Sequence, residues 1–394
     1  MTELTVRDLT IADRDAALDV RTRSFGPLPS GAREWWDGLF DKTLDERRAL
    51  GVVAGDALVA SARIHAYRQL WGGRALPMAG IAGVVVAPEW RGRGVATMLM
   101  TAVLQRAVEL GDVLSVLYPA TLPPYRRLGW ELAGALSRTT LGADALRRLG
   151  EGARSGGAAV DVRRAGPADT DTVTRLLRDD AEHSRASGPL ELSHDDVRQA
   201  LEDPDNFCYV ADDGVLVYAW DGADLRVERV AARTPETLTA LWAIVGSGAS
   251  AVRNVYTFQP TQDPIHWFLP AKAGLEVEED RWMLRLLDAA AAISGRGFPA
   301  GLTADAPLVL DDRWLVGCAG AYRLHVTDGT GELVGDTDGS ADAVLLGPNG
   351  LAALYAGTPV ATLRRAGLLS GGSQRHDDVL DAAFGSRCYL LDRF

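Results

Sequence analysis

Val84-Val85-Val86-Ala87-Pro88-Glu89-Trp90-Arg91-Gly92-Arg93-Gly94-Val95-Ala96-Thr97 is the stretch on which the fold of this chain turns. An apolar, β-branched run breaks at Pro88, passes through an Arg/Gly loop and enters an apolar helical pattern. Such a loop stacks free backbone N–H groups at a helix N-terminus, where the helix dipole also favours negative charge. Gly92 and Gly94 remove side chains that would hold a phosphate away from that backbone. Arg91 and Arg93 bring charge and donors to the mouth. The residues read as a pyrophosphate cradle. Glycines beside arginines also occur in ordinary surface turns, and six residues alone leave that alternative open. A G-x-G-x-x-G dinucleotide loop fits badly, because Thr97 stands where the third glycine belongs.

The neighbouring segments give the loop its context. A helix is predicted over Val95–Val108 and a second strand over Val113–Tyr118. Upstream, Leu4–Arg7 reads as an opening strand, Asp13–Phe25 and Glu34–Arg48 as helices, and Leu50–Ala54, Gly55-Asp56, Ala57–Gln69 as a hairpin. Gly72-Gly73 marks the turn into the strand that ends at Val86. In this setting Arg91-Gly92-Arg93-Gly94-Val95-Ala96 resembles the acyl-coenzyme A signature Arg/Gln-x-x-Gly-x-Gly/Ala of the GNAT N-acetyltransferases.

Beyond a Gly/Ser/Ala-rich stretch at Arg154–Ala159, expected to be a linker, the opening repeats. Val160-Asp161-Val162-Arg163-Arg164-Ala165, followed by Pro167-Ala168-Asp169, echoes Leu4–Asp8 followed by Ile11-Ala12-Asp13, as a second copy of the fold would. Helices at Thr170–Arg185, Ser193–Glu202 and Pro235–Val245 and strands at Phe207–Ala211, Val215–Trp220 and Leu225–Ala232 fill this half. Its strand-to-helix connection, Arg233-Thr234-Pro235, lacks glycine, so this copy is not expected to bind the coenzyme. The last hundred residues alternate short β-like runs with Asp/Gly turns and end in helices at Asn349–Gly357 and His376–Phe384, an α+β pattern.

After the strand Val113–Tyr118 comes Tyr125-Arg126-Arg127-Leu128-Gly129-Trp130, which is similar to the GNAT pattern Tyr-x-x-x-Gly-Phe/Tyr. A phenol of ordinary pKa ~10 is protonated at neutral pH and is able to donate to a departing thiolate. The other reading is a tyrosine ring packed beneath a Pro-rich turn.

The whole chain resembles the Eis (enhanced intracellular survival) branch of aminoglycoside and lysine N-acetyltransferases. The resemblance implies tandem GNAT folds, each a mixed sheet flanked by helices, followed by a sterol-carrier-protein-like α+β domain. The boundaries that follow are 1–153, 154–290 and 291–394. It also implies acetyl-CoA as co-substrate, held by the main chain of Val84, Val85 and Val86, by the loop Arg91, Gly92, Arg93, Gly94, Val95, Ala96 and Thr97, and by Ala120 and Thr121 along the pantetheine arm. Tyr125 becomes the general acid and the carboxylate of Phe394 the general base. A frayed terminus is the usual fate of a last residue, but Arg387–Leu391 reads as a buried strand that ties it down. Trp35 and Trp36 are candidates for an aromatic wall of the acceptor pocket, or else a helix face turned into the core. Arg393, beside Phe394, departs from a carboxylate-rich drug pocket and puts the substrate in question. A homohexamer is a further implication of the resemblance.

Composition narrows the rest. Hydrophobic content of 47% with 24% charged residues is that of a globular chain. No run of ~18 apolar residues exists to span a membrane, and no signal peptide is visible, so a cytoplasmic location is expected. A net charge of −12 argues against nucleic acid and for a cationic amine as partner. The 3 cysteines and 6 histidines show no metal-ligand spacing, so no metal is expected. Two rivals stay open: a non-catalytic sensor of acyl-CoA or an apolar ligand, and an acetyltransferase for protein lysines.

Overall fold

A computed structural model describes residues 3–154, 160–269, 276–337 and 341–394. Of the linker expected over Arg154–Ala159 only Arg154 lies among them, and it ends a helix.

The first half begins with β1 (Leu4–Asp8), α1 (Arg14–Phe25) and α2 (Arg33–Asp45). A meander follows of β2 (Ala49–Ala54), β3 (Ala57–Trp71) and β4 (Arg74–Val86), each antiparallel to the last. Then come α3 (Val95–Glu109), β5 (Leu114–Leu117), the short α4 (Pro123–Arg126), β6 (Glu131–Gly142) and α5 (Ala143–Arg154). The apolar stripe of α3, Val95, Leu99, Met100, Val103 and Leu104, is at most 1% exposed and packs against Val59, Ala62 and Ile64 of β3. Spacing at i, i+4, i+5, i+8 and i+9 puts those five side chains on one helical face. That contact fixes the start of α3 at the end of β4.

The second half contains β7 (Arg163–Arg164), α6 (Thr170–Ser184), α7 (His194–Glu202), β8 (Asn206–Ala211), β9 (Gly214–Asp221), β10 (Asp224–Ala232), α8 (Pro235–Ser247), β11 (Asn254–Phe258), α9 (Ile265–Phe268) and β12 (Glu276–Leu286). The two halves share one large sheet, twelve of whose thirteen strands run in the order β1-β2-β3-β4-β5-β12-β6-β11-β10-β9-β8-β7. β12 belongs by sequence to the second half yet lies between β5 and β6, pairing Leu286 with Leu114 and Leu284 with both Val116 and Glu131. β6 in turn pairs with β11. The strand that completes the first half is therefore supplied from far downstream.

The final unit comprises α10 (Ala289–Gly295), β13 (Ala304–Leu310), β14 (Gly320–Thr327), β15 (Thr330–Gly335), β16 (Val344–Leu346), α11 (Pro348–Tyr355), α12 (Val360–Arg365), β17 (Leu369–Gly371), α13 (Gln374–Phe384) and β18 (Tyr389–Leu390). β13 to β17 make a separate five-stranded sheet. Its core is continuous with the large sheet: Trp71, Met78, Leu114 and Trp282 form one buried cluster with Leu308, Tyr355, Leu380 and Phe384. At the end of the chain, β18 leaves this unit and joins the large sheet, parallel to β6, with Tyr389 against Ala135 and Leu390 against Leu136.

Candidate active site

β4 and β5 run parallel from Met78/Leu114 to Ile81/Leu117, where β5 stops while β4 continues to Val86. The register of β3 on β4 also slips between Ser61 and Arg63. The parting strands leave main-chain N–H and C=O groups of β4 without a neighbour and open a cleft of about 480 Å³. Val84, Val85, Val86, Arg91, Ala96, Ala120, Thr121, Tyr125 and Phe394 all line it. The folded chain thus gathers into one cavity residues predicted from positions as far apart as 84 and 394.

The Arg/Gly loop sits at one end. Gly92 and Gly94 have φ of +74° and +80°, the left-handed region that side chains with a Cβ enter at a cost, and Gly94 caps α3. A Cβ built on either glycine meets nothing within 4 Å. The glycines are therefore required by backbone shape, and the space over them is free. The first N–H to reach a helical carbonyl is that of Met98, onto Gly94 O at 3.0 Å; the amides ahead of it point from the helix end. Val95 is only 1% exposed, so it offers its backbone alone, and Thr97 follows it on the helix. Arg93 lays its guanidinium over the Trp90 ring at 5.1 Å, and Arg91 Nε donates to Val86 O at 3.3 Å. Free amides, absent side chains and two anchored cations fit a diphosphate. The equivalent connection in the second half, from β10 to α8, is capped instead by the Thr234 hydroxyl accepting from Thr237 N.

Tyr125 projects from α4 on the opposite wall, and burial raises its hydroxyl pKa above the ordinary phenol value. The turn that carries it is held from below. Leu128 N and Trp130 N both donate to Tyr125 O, at 3.0 and 3.2 Å, and Trp130 is fully buried. Trp314 of the final unit donates through Nε1 to Arg127 O at 2.8 Å. Beneath lies the buried ion pair of Arg285 with Asp312, whose other oxygen caps Trp314 N and Leu315 N at 3.0 Å each.

Phe394 closes the cleft. Its ring lies between Tyr67 at 5.1 Å and Tyr118 at 5.5 Å, directly over Gly80, where a Cβ would come within 2.9 Å of the Phe394 ring. The residues before it are moored one after another: Tyr118 Oη donates to Asp392 O at 2.8 Å, Asp392 pairs with Arg229 of β10, and Arg393 pairs with Asp280 of β12 while lying over the Tyr118 ring. Arg393 is thus directed to Asp280 and Tyr118. Burial pushes the Tyr118 hydroxyl up strongly and Tyr67 to about 12, so both stay protonated at neutral pH. The His65 imidazole, beside Tyr67 on the same face of β3, is held down to about 4 by burial, reinforced by the Arg63 charge.

Trp35 and Trp36 are not among the residues lining this cleft. Trp36 is 3% exposed, stacked on Phe40 at 5.1 Å in a small core under α1 and α2, whereas Trp35 is 62% exposed on the outer face of α2. Consecutive helical residues point about 100° apart, so the two rings cannot form one wall. Sequence reading passed over Ser24 and Phe25, which edge the cleft, and Tyr67, Tyr118, Asp392 and Arg229, which place Phe394. Gly80 and Gly83, inside a strand otherwise rich in side chains, were the available signal, since strand glycines mark close approach or a bulge.

Comparison with known proteins agrees with this geometry. Models of the acetyltransferase (GNAT) domain match residues 5–133 and again 175–286, and a sterol carrier protein domain matches 289–389. The N-acetyltransferase Eis of Mycobacterium tuberculosis (strain CDC 1551 / Oshkosh) is 25% identical over 324 residues, covering 79% of each chain. A crystal structure of a GCN5-related N-acetyltransferase from Kribbella flavida is 48% identical, covers 100% of this chain and 98% of its own, and superposes with a TM-score of 0.94. Eis1 from Mycobacterium abscessus shares the fold, at 20% identity and a TM-score of 0.73 over the full length of both chains. A splayed strand pair, a glycine-built amide cradle, and two acetyltransferase folds joined to a sterol-carrier fold identify this chain as an N-acetyltransferase of the GCN5-related (GNAT) superfamily, with the three-part architecture of the Eis type.

Proposed function

We propose that this enzyme moves the acetyl group of acetyl-CoA directly onto an amine in the cleft between β4 and β5. The observation that carries the reading is that Tyr125 and Phe394 meet in the same cavity as the open main chain of Val84–Val86. Amides of that open edge polarise the thioester carbonyl. The amine nitrogen forms its bond to the carbonyl carbon and passes a proton to the Phe394 carboxylate, directly or through a water. As the C–S bond breaks, Tyr125 gives its proton to the sulfur. A phenol whose pKa burial has raised stays protonated through the neutral range, as a general acid must. Arg91, Arg93 and the amides of Gly92 to Thr97 hold the pyrophosphate, and Ala120 and Thr121 flank the pantetheine arm.

Between a polyamine such as an aminoglycoside and a single lysine-type amine, the lining favours the second. No Asp or Glu side chain lines the cleft among the described residues, so a multiply charged acceptor finds one carboxylate at most, that of Phe394. The assembly proposed from the family resemblance is a homohexamer. Release of free CoA from acetyl-CoA, followed with lysine, lysine peptides and aminoglycosides, tests the reaction. Loss of turnover in both Tyr125→Phe and a chain lacking Phe394, with acetyl-CoA still bound, supports the two roles; tight acetyl-CoA binding with no turnover on any amine overturns them in favour of a sensor.

A further inference from the structure

One cation behind the cleft-lining Gly83, not itself among the lining residues, has no carboxylate partner among the described residues. Arg63 stands on the β3 face that also carries His65 and Tyr67, opposite Ala82 in the ladder, while His65 stands opposite Gly80. No carboxylate pairs with it among the described residues; its charged neighbour is Arg21, and burial together with that like charge lowers its pKa. Nη1 is sealed from solvent with no hydrogen-bond partner. Nε and Nη2 are not sealed, and both lie 3.4 Å from the point where a Cβ on Gly83, a cleft-lining residue, would stand. The guanidinium carbon lies 5.8 Å from the centre of the Trp36 ring. A buried cation without a partner is costly, and a chain that keeps one offers an open bidentate donor. Of the other arginines around the cleft, Arg229 pairs with Asp392 and Arg393 with Asp280, while Arg91 and Arg93 stand at the loop proposed to hold the pyrophosphate.

We infer that Arg63 is an anion anchor for the acceptor, and that the acceptor is an amine that also bears a carboxylate, as a free amino acid does. The Nε/Nη2 edge of a guanidinium matches the two oxygens of a carboxylate. The Phe394 ring lies over Gly80, the partner of His65, and Arg63 pairs with Ala82, two residues and about 7 Å further along β4. An acceptor whose amine and carboxylate are several bonds apart spans that distance. This inference rests on the amine-acetylation reading above and narrows its substrate class.

The test compares L-lysine with lysinamide and cadaverine, which keep the ε-amine but lack the carboxylate, in CoA release by the full chain. The expected kcat/KM for lysine exceeds that for either analogue by about tenfold or more, the scale of a charged hydrogen bond. Arg63→Gln abolishes the difference, while Arg63→Lys retains part of it; melting curves confirm that each variant is folded. Calorimetric titration with glutarate, which has carboxylates and no amine, gives a readout independent of turnover: binding to the native chain and none to Arg63→Gln. Equal kcat/KM for lysine and lysinamide, or a preference that survives in Arg63→Gln, overturns the anchor and leaves the acetyltransferase reading standing. Glutarate binding that depends on Arg63, with no amine acetylated, overturns the reaction and leaves the anion site. A better response to O-phosphoserine than to any carboxylate overturns the choice of anion.

Discussion

Asn349 reaches across from the final unit and donates through Nδ2 to Trp130 O at 2.9 Å, and to Arg126 O at 3.1 Å. One amide therefore clamps both ends of the turn whose first helical residues include Tyr125. Asn349→Ala is expected to lower kcat several-fold with little change in acetyl-CoA affinity, and to cost about 1–3 kcal/mol of stability for two carbonyls left unpaired. Asn349→Asp keeps the shape but removes the donor, so it should behave like the alanine variant. Steady-state kinetics beside a denaturant melt separate the two effects.

Tyr125 and Tyr118 are both buried phenols on the cleft, but their partners differ. Tyr118 Oη is committed to Asp392 O, whereas Tyr125 Oη has no hydrogen bond among the described residues. Tyr125→Phe should lower kcat by about 10² or more, the range of a lost general acid, and leave the KM for acetyl-CoA nearly unchanged. Tyr118→Phe should act through the slackened position of Phe394 and reduce kcat less. Single-turnover kinetics with excess enzyme would distinguish chemistry from product release.

Gly94 tests the cradle. At a φ of +80° an alanine costs about 1–2 kcal/mol of backbone strain, yet its methyl group meets no protein atom within 4 Å. Gly94→Ala is expected to raise the KM for acetyl-CoA about tenfold, roughly 1.4 kcal/mol of binding, with kcat at saturation largely kept. An unchanged KM with a lowered melting temperature would show that the glycine serves the fold alone.

Much of this was legible in the sequence, and the limits have a physical pattern. Features set by a local rule were readable: the bend at Gly92 and Gly94 ahead of a helix, α3 through its stripe of apolar residues, the hairpin turn at Gly72-Gly73, and the glycine-free start of α8. Tyr125 was singled out by the resemblance of Tyr125–Trp130 to the GNAT pattern, and the residues alone left a packed ring as the other reading. What sequence could not show depends on contacts between distant residues. Nothing around Glu276–Leu286 says that this strand pairs with Leu114, and nothing near Arg229 points to Asp392. The tryptophan pair illustrates the same limit, since the rotation of α2 against its core decides which of Trp35 and Trp36 is buried.

His65 gives the acid side of stability a specific contributor. Its folded pKa of about 4 lies below its ordinary 6.5, because burial disfavours the imidazolium. Between these values the unfolded chain binds more protons than the folded one, so stability falls as pH drops from about 6.5 toward 4. Asp180 and Asp263, raised by burial to about 6, run the other way: the folded chain takes up the extra protons, and their effect is to favour the fold as pH falls through that range. His65→Gln should therefore lose less melting temperature than the native chain between pH 7 and pH 4. Parallel curves for the two proteins would remove His65 from the account.

The place of β12 between β5 and β6 bears on how the chain is made. Leu114 leaves the ribosome long before Leu286, its partner, and at 5–20 residues per second the interval is roughly 10–30 s. Through that time β5 and β6 each present a raw edge, and exposed edges invite pairing with other chains. The newborn protein is thus most vulnerable when it is two-thirds synthesised, and its yield in a cell should follow chaperone supply more closely than the melting temperature of the finished enzyme.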